Sequence, residues 1–397
     1  MIKINDISLT RRKILQTSLL ILIFSMFNLC EISRLIQVNS IPQRIMNAPL
    51  LGRYGHSLVY DPENQQIILF GGYNMENGEL DDMWVYDCTN NIWRELHLAK
   101  KPLARSGQEM VYDSINRKFI LFGGSTRYGW SNDTWIYDSA AKTWTEVFPK
   151  NRPSPRGSVS MYFDPDIGQT ILFGGYIEEL EGADETWTYD YDDNIWNLLN
   201  ISVKPRPRYG SRMIYDPVNQ RGVLFGGRII GYYKLNDTWE FNLLNYSWTQ
   251  LDLPEHPSPR YWHDMVYDSA KQVIMLFGGS IKGGLSQETW IFNVTSNRWI
   301  QMNPEVSPSN RSFHKLVYDS ENGKVIMFGG VKSGYSETYN DTWIYSFDEN
   351  NWTKQKPQIV EYSPVPCFNI PIITSSLITL YILNTKKRRL QRSRKMK

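Results

Sequence analysis

With 397 residues, 14% aromatic side chains and three cysteines, the chain is too aromatic for a disordered protein and too poor in cysteine for a disulfide scaffold. Its formal charge of +2 conceals an asymmetry: +4 over the first fifty residues and +8 over the last fourteen leave −10 for the stretch between them. An acidic middle excludes a fold that grips nucleic acid, because phosphate neutralisation supplies most of that affinity.

The chain opens with MIKINDISLTRRKILQTSLLILIFSMFNLCEIS, where the basic cluster Arg11, Arg12 and Lys13 precedes an apolar run from Ile14 to Cys30. This layout predicts a secretory signal peptide or an uncleaved signal anchor, assigned to residues 1–40. The run TRRKILQ also resembles a twin-arginine export signal.

From residue 53 onward one pattern recurs six times. Adjacent glycines begin at Gly71, Gly123, Gly174, Gly226, Gly278 and Gly329, a period of 51 or 52 residues. An arginine lies 18 residues before each pair: Arg53, Arg105, Arg156, Arg208, Arg260 and Arg311. Each copy predicts four short strands separated by turn signals. The first follows the arginine and ends in an aromatic–Asp step such as Tyr60–Asp61. A tight connection such as DPENQQ or DSENGK follows, and its Pro, Asn and Gly suit a hairpin. The second strand, IILFGG and its variants, is a continuous apolar run, as expected when both faces are packed. The third carries Trp84, Trp135, Trp187, Trp239, Trp290 or Trp343, and the fourth a second Trp nine residues later.

A repeat of this length points to a propeller or solenoid, and radial stacking lets four-stranded sheets bury both faces. The Arg-x-x-His opening, the Gly-Gly after an apolar run, the tyrosine and the spaced tryptophans together resemble the kelch repeat over roughly residues 50–356. The resemblance implies an all-β, six-bladed β-propeller of four-stranded antiparallel blades over residues 44–360. Blades are expected at 53–100, 101–151, 152–203, 204–255, 256–306 and 307–356. Each copy holds a whole blade. The first and last therefore either meet directly or are clasped by a strand from residues 41–50 or 357–362.

Residues shared by all six copies belong to the scaffold, since a binding site needs asymmetry. His56, His263 and His314 take the third position after the arginine in three neighbouring copies, but no cluster of acidic ligands accompanies them. They read as structural, and no metal is assigned. Resemblance to kelch-type copper oxidases would imply a Tyr–Cys crosslink. Only Cys88 lies within the repeats, so no cofactor is expected.

Function is sought where copies differ, in the loops between second and third strands and between blades, which emerge on one face. The first set is rich in aromatics, which anchor peptides or stack on sugars. Candidate binding residues are Tyr73, Tyr128, Trp130, Tyr176, Tyr232, Tyr233, Tyr335 and Tyr339. Eight Asn-x-Ser/Thr sequons, from Asn132 to Asn351, are compatible with an exported chain.

Near the end, residues 365–383 run 19 positions without charge, and a basic tail, 384–397, follows. Length and flank predict a transmembrane helix with the tail on the cytoplasmic side. A cell-surface sorting tail shares both features. The whole reading is a membrane-tethered, extracytoplasmic propeller that binds a protein or carbohydrate partner through one loop face. The alternatives are a sugar-modifying enzyme on the same scaffold and a purely structural surface protein.

Overall fold

The computed structural model describes residues 50–178, 182–229, 231 and 233–361. The export and transmembrane segments expected at 1–40 and 365–383 lie outside these residues. Among the described residues no helix is long and apolar enough to cross a membrane. Six antiparallel sheets follow one another, each with strands in sequence order. Blade 1 comprises Ser57–Asp61, Gln66–Phe70, Met83–Asp87 and Ile92–Glu95. The innermost strand of every blade lies beside those of its two neighbours, and blade 6 meets blade 1, so the ring is closed.

Ring closure has a second component. Gln358–Glu361 adds a fifth strand to blade 1, running parallel to Ile92–Glu95. Val360 is buried there, and Ile359 packs on the cluster containing Leu50, Trp84, Trp93 and Phe328. Of the closures the sequence left open, direct meeting and a C-terminal clasp both occur.

The blade arginines are buried inside a repeated polar joint. Arg53 donates through Nε to the Leu51 carbonyl and through Nη1 to the Gly71 carbonyl at 3.1 Å, and both Nη atoms bond Asp82. The other arginines meet Asp133, Glu185, Asp237, Glu288 and Asp341. Each acid also accepts the indole N–H of the third-strand tryptophan two residues on. Burial alone raises the carboxyl of Asp82, but hydrogen bonds and charge from Arg53 outweigh it and hold the group below its usual range.

The glycine pairs let neighbouring blades touch through backbone. A Cβ on Gly71 would lie 2.9 Å from the Arg105 carbonyl oxygen, and φ there is +65°. The amide of Gly72 donates to that same carbonyl at 2.8 Å, and the contact repeats around the ring until Gly330 donates to Arg53. A second circuit lies closer to the axis. The residues two after each arginine (Gly55, Gly107, Ser158, Gly210, Trp262 and Phe313) each donate N–H to the carbonyl of their counterpart in the preceding blade. Distances are 2.7–3.1 Å, and Gly55 closes the circle onto Phe313.

Fourth-strand tryptophans knit the blades at larger radius. Trp93, Trp196, Trp248, Trp299 and Trp352 donate to Thr342, Thr134, Thr186, Thr238 and Thr289 of the preceding blade. Trp144 is the exception: its indole nitrogen is buried without a partner. The equivalent position in blade 1 is Met83, which offers no hydroxyl.

Candidate functional site

One face of the ring carries a concave cavity of about 410 Å³ lined mainly by aromatic side chains. Rings contact one another in an arc that passes through every blade. Trp130 meets Tyr176 at 5.2 Å between centroids, Tyr176 meets Tyr209 at 5.4 Å, and Tyr209 meets Tyr261 and Trp262. Trp262 stacks on Phe313 at 3.8 Å, and Phe313 leads through Tyr54 to Tyr73. Tyr335 stands beside the arc, touching Tyr54 and Trp262. Between Tyr73 and Trp130 the lining is instead Glu79, Ser106 and Ser125.

The local chain explains these placements. Blade 2 extends its second and third strands to Lys118–Thr126 and Gly129–Asp138, so Trp130 rises on a hairpin, opposite Ser125, whose register shifts between Ser131 and Thr134. Its ring lies over Gly157, where a Cβ would come within 2.4 Å. Trp262 lies against Gly210 in the same way. Trp262 and Phe313 adopt φ of +56° and +57°, the left-handed region that the inner backbone circuit demands of all six positions. That region costs a non-glycine residue about 1–2 kcal/mol.

Polarity differs across the bowl. Glu79 stands on the blade 1 side, without an ion pair among the described residues. In blade 4, Arg228 lies over the Tyr209 and Tyr261 rings and bonds the Tyr261 hydroxyl. Lys234 bonds Ser280 and the Ile281 carbonyl and borders a side pocket of about 250 Å³. Burial, then the charge of Arg228, lowers the Lys234 ammonium from its usual pKa. Burial, with Tyr73 and Glu79 nearby, pushes Tyr54 up to about 12, so its hydroxyl stays protonated.

Of the residues anticipated from sequence, Tyr73, Trp130 and Tyr176 line the bowl and Tyr335 borders its side pocket. Tyr128 and Tyr233 are 73% and 70% exposed and stand away from the ring arc. Tyr339 lies flat against Arg311 at the blade 6 rim. Tyr232 lies outside the described residues. Tyr54, Tyr209, Tyr261, Trp262 and Phe313 were missed. They occupy the first and second positions after the blade arginines, where other copies carry Ser or Gly, and that variation was the available signal.

The three histidines are buried; the ring nitrogens of His56 and His263 have no hydrogen-bond partner, and the His314 ring lies by the Phe277 backbone. Among the described residues no group of His, Cys, Asp or Glu is arranged to hold a metal ion. Burial of Cys88, followed by the charge of Asp319, pushes its thiol far up and leaves it unreactive.

The geometry agrees with comparison to known proteins. A family model described as the KLHDC2/KLHL20/DRC7 Kelch-repeats domain matches residues 36–167 and 167–382. The chain belongs to this kelch-repeat family. Kelch domain-containing protein 1 of Homo sapiens is 27% identical over 70% of this chain and 76% of its own length. An F-box/kelch-repeat protein of Arabidopsis thaliana is 26% identical over 71% of this chain and 66% of its own. Kelch domain-containing protein 10 of Xenopus laevis is 30% identical, over 52% of this chain and 51% of its own. Kelch propellers of this kind are typically protein-binding scaffolds.

Proposed function

We propose that this kelch propeller binds a segment of a partner protein in its aromatic bowl. The observation that carries this reading is the arc of contacting rings around a cavity of about 410 Å³. That volume falls in the range of small-ligand pockets and suits a few side chains rather than a folded domain. Tyrosine and tryptophan give large contact area at low entropic cost, and Glu79 and Lys234 offer opposite charges to a segment crossing between them. The test is a peptide library screened against the full-length chain and its variants. Tyr54→Ser and Tyr209→Ser, in the wall, are expected to weaken recovered peptides at least about tenfold. Tyr128→Ser and Tyr233→Ser, outside it, should leave them unchanged. Equal losses from both sets overturn the reading.

The proposal extends to location: the propeller faces the extracytoplasmic side and is tethered by residues 365–383. Support comes from the basic and apolar order of the first segment and the basic flank of the last. Protease added to intact cells should then degrade the propeller, and a protected propeller overturns this topology.

A further inference from the structure

The inner backbone circuit asks the same left-handed conformation of six residues, and four blades meet it with Gly55, Gly107, Gly210 and Ser158. Blades 5 and 6 place Trp262 and Phe313 there instead. The scaffold has no use for those rings, because glycine closes the identical circuit in three blades. Both side chains are only half-buried and line the bowl above the axial cavity. The Trp262 indole nitrogen is shielded from solvent and has no partner. Trp262 and Phe313 share their left-handed backbone with Ser158, but only at these two positions does it come with large rings, stacked at 3.8 Å and beside an unmet donor. Strain of this sort persists where a site has a use for it.

Building on the peptide-binding reading, we propose that Trp262 and Phe313 form a platform that seats a flat side chain, aromatic or proline, of an extended partner segment. The occupant follows from the surroundings. Tyr261 at 4.1 Å and Phe313 at 3.8 Å cover the two faces of the Trp262 ring, and Tyr54 and Tyr335 flank the stack, so an occupant meets the edges that line the bowl while its own peptide bonds reach the polar groups at Ser106 and Lys234. A flat group gains offset or edge-to-face contacts against such rings, whereas a branched aliphatic side chain does not.

The probe is a phage-displayed library of random linear peptides selected on the full-length wild-type chain. Recovered peptides should share an aromatic residue or a proline and bind Trp262→Gly/Phe313→Gly at least about tenfold more weakly. The variant keeps the circuit that glycine already closes elsewhere, and each single glycine variant carries the same expectation. Trp262→Phe should retain binding. The strain itself is read from melting: Trp262→Gly should melt above Trp262→Ala, the reverse of the usual order, because alanine resists positive φ. Peptides that weaken on Tyr54→Ser and Tyr209→Ser but bind the double glycine variant like wild type overturn the platform and leave the bowl standing. Alanine melting above glycine overturns the strain on which the platform rests. A library that enriches nothing on the wild type overturns both proposals.

Discussion

The third position after the blade arginine shows how one place in the fold accepts different chemistry. Gln108 spans the blade boundary there, its amide donating to the Phe70 carbonyl of the preceding blade at 3.0 Å. His56, His263 and His314 put an imidazole in the same slot, edge-on to Phe328, Phe225 and Phe277 at 5.3–5.5 Å. Burial, then the neighbouring blade arginine, drives each far below the ordinary histidine range, so all three stay neutral in the folded ring. In the unfolded chain they protonate near the ordinary value of about 6.5. Unfolding therefore takes up protons below that pH, and stability falls as pH drops until the depressed native values are reached. Each histidine contributes about 1.4 kcal/mol per pH unit in that window. The blade carboxylates lose their arginine pairing in the same direction, but at lower pH, because their native values lie below the usual carboxylate range. Urea unfolding between about pH 7.5 and 5.5 should show this loss in the wild type and a much flatter profile in His56→Gln/His263→Gln/His314→Gln. Gln108 shows that the replacement fits. An unchanged profile in the triple variant would sink the assignment.

At the level of strands and loops, legibility follows repetition. A residue that joins one blade to the next must recur in each copy, so Arg53, Gly71 and Trp93 and their counterparts announce the scaffold. Their partners were harder to read. The acids recur as well, 28–30 residues after each arginine, but a spacing alone does not say that the two side chains meet, as Asp82 meets Arg53. The closing strand Gln358–Glu361 has four residues and pairs with a strand more than 250 positions earlier, so the sequence offered it only as one of several closures, without its seat on blade 1. The bowl was half legible for a related reason. Tyr73, Trp130 and Tyr176 sit in loops whose variability marks them. Trp262 and Phe313 sit at the entry of the innermost strands, a zone that repetition assigns to architecture. There the backbone is constant and only the side chains depart from it. Conversely, loop position alone promoted Tyr128 and Tyr233, whose side chains stand in solvent.

Across the whole ring, the blades are also coupled through charge at the axis. The fourth position after each arginine holds Ser57, Glu109, Ser160, Arg212, Asp264 and Lys315. The four charged members come from four blades and sum to zero. Glu109 is the hub, 2.5 Å from Arg212 and 2.6 Å from Lys315, while Asp264 pairs with Arg212 at 2.8 Å and accepts the Leu316 amide. Burial raises the Glu109 carboxyl, but the two cations outweigh it and keep the group ionised. Such a set is sensitive to imbalance more than to removal, since an uncompensated buried charge costs more than a missing pair. Glu109→Ser leaves Arg212 and Lys315 facing Asp264 alone and should destabilise the ring by about 3–5 kcal/mol. Glu109→Ser/Lys315→Ser restores neutrality, keeps the Arg212–Asp264 pair, and installs the residue that blades 1 and 3 already use. The double variant should therefore be more stable than the single one, a coupling that denaturant unfolding of both chains measures directly. Simple additivity, with the second serine lowering stability further, would mean that the charges are solvated through the axial cavity rather than balanced against one another.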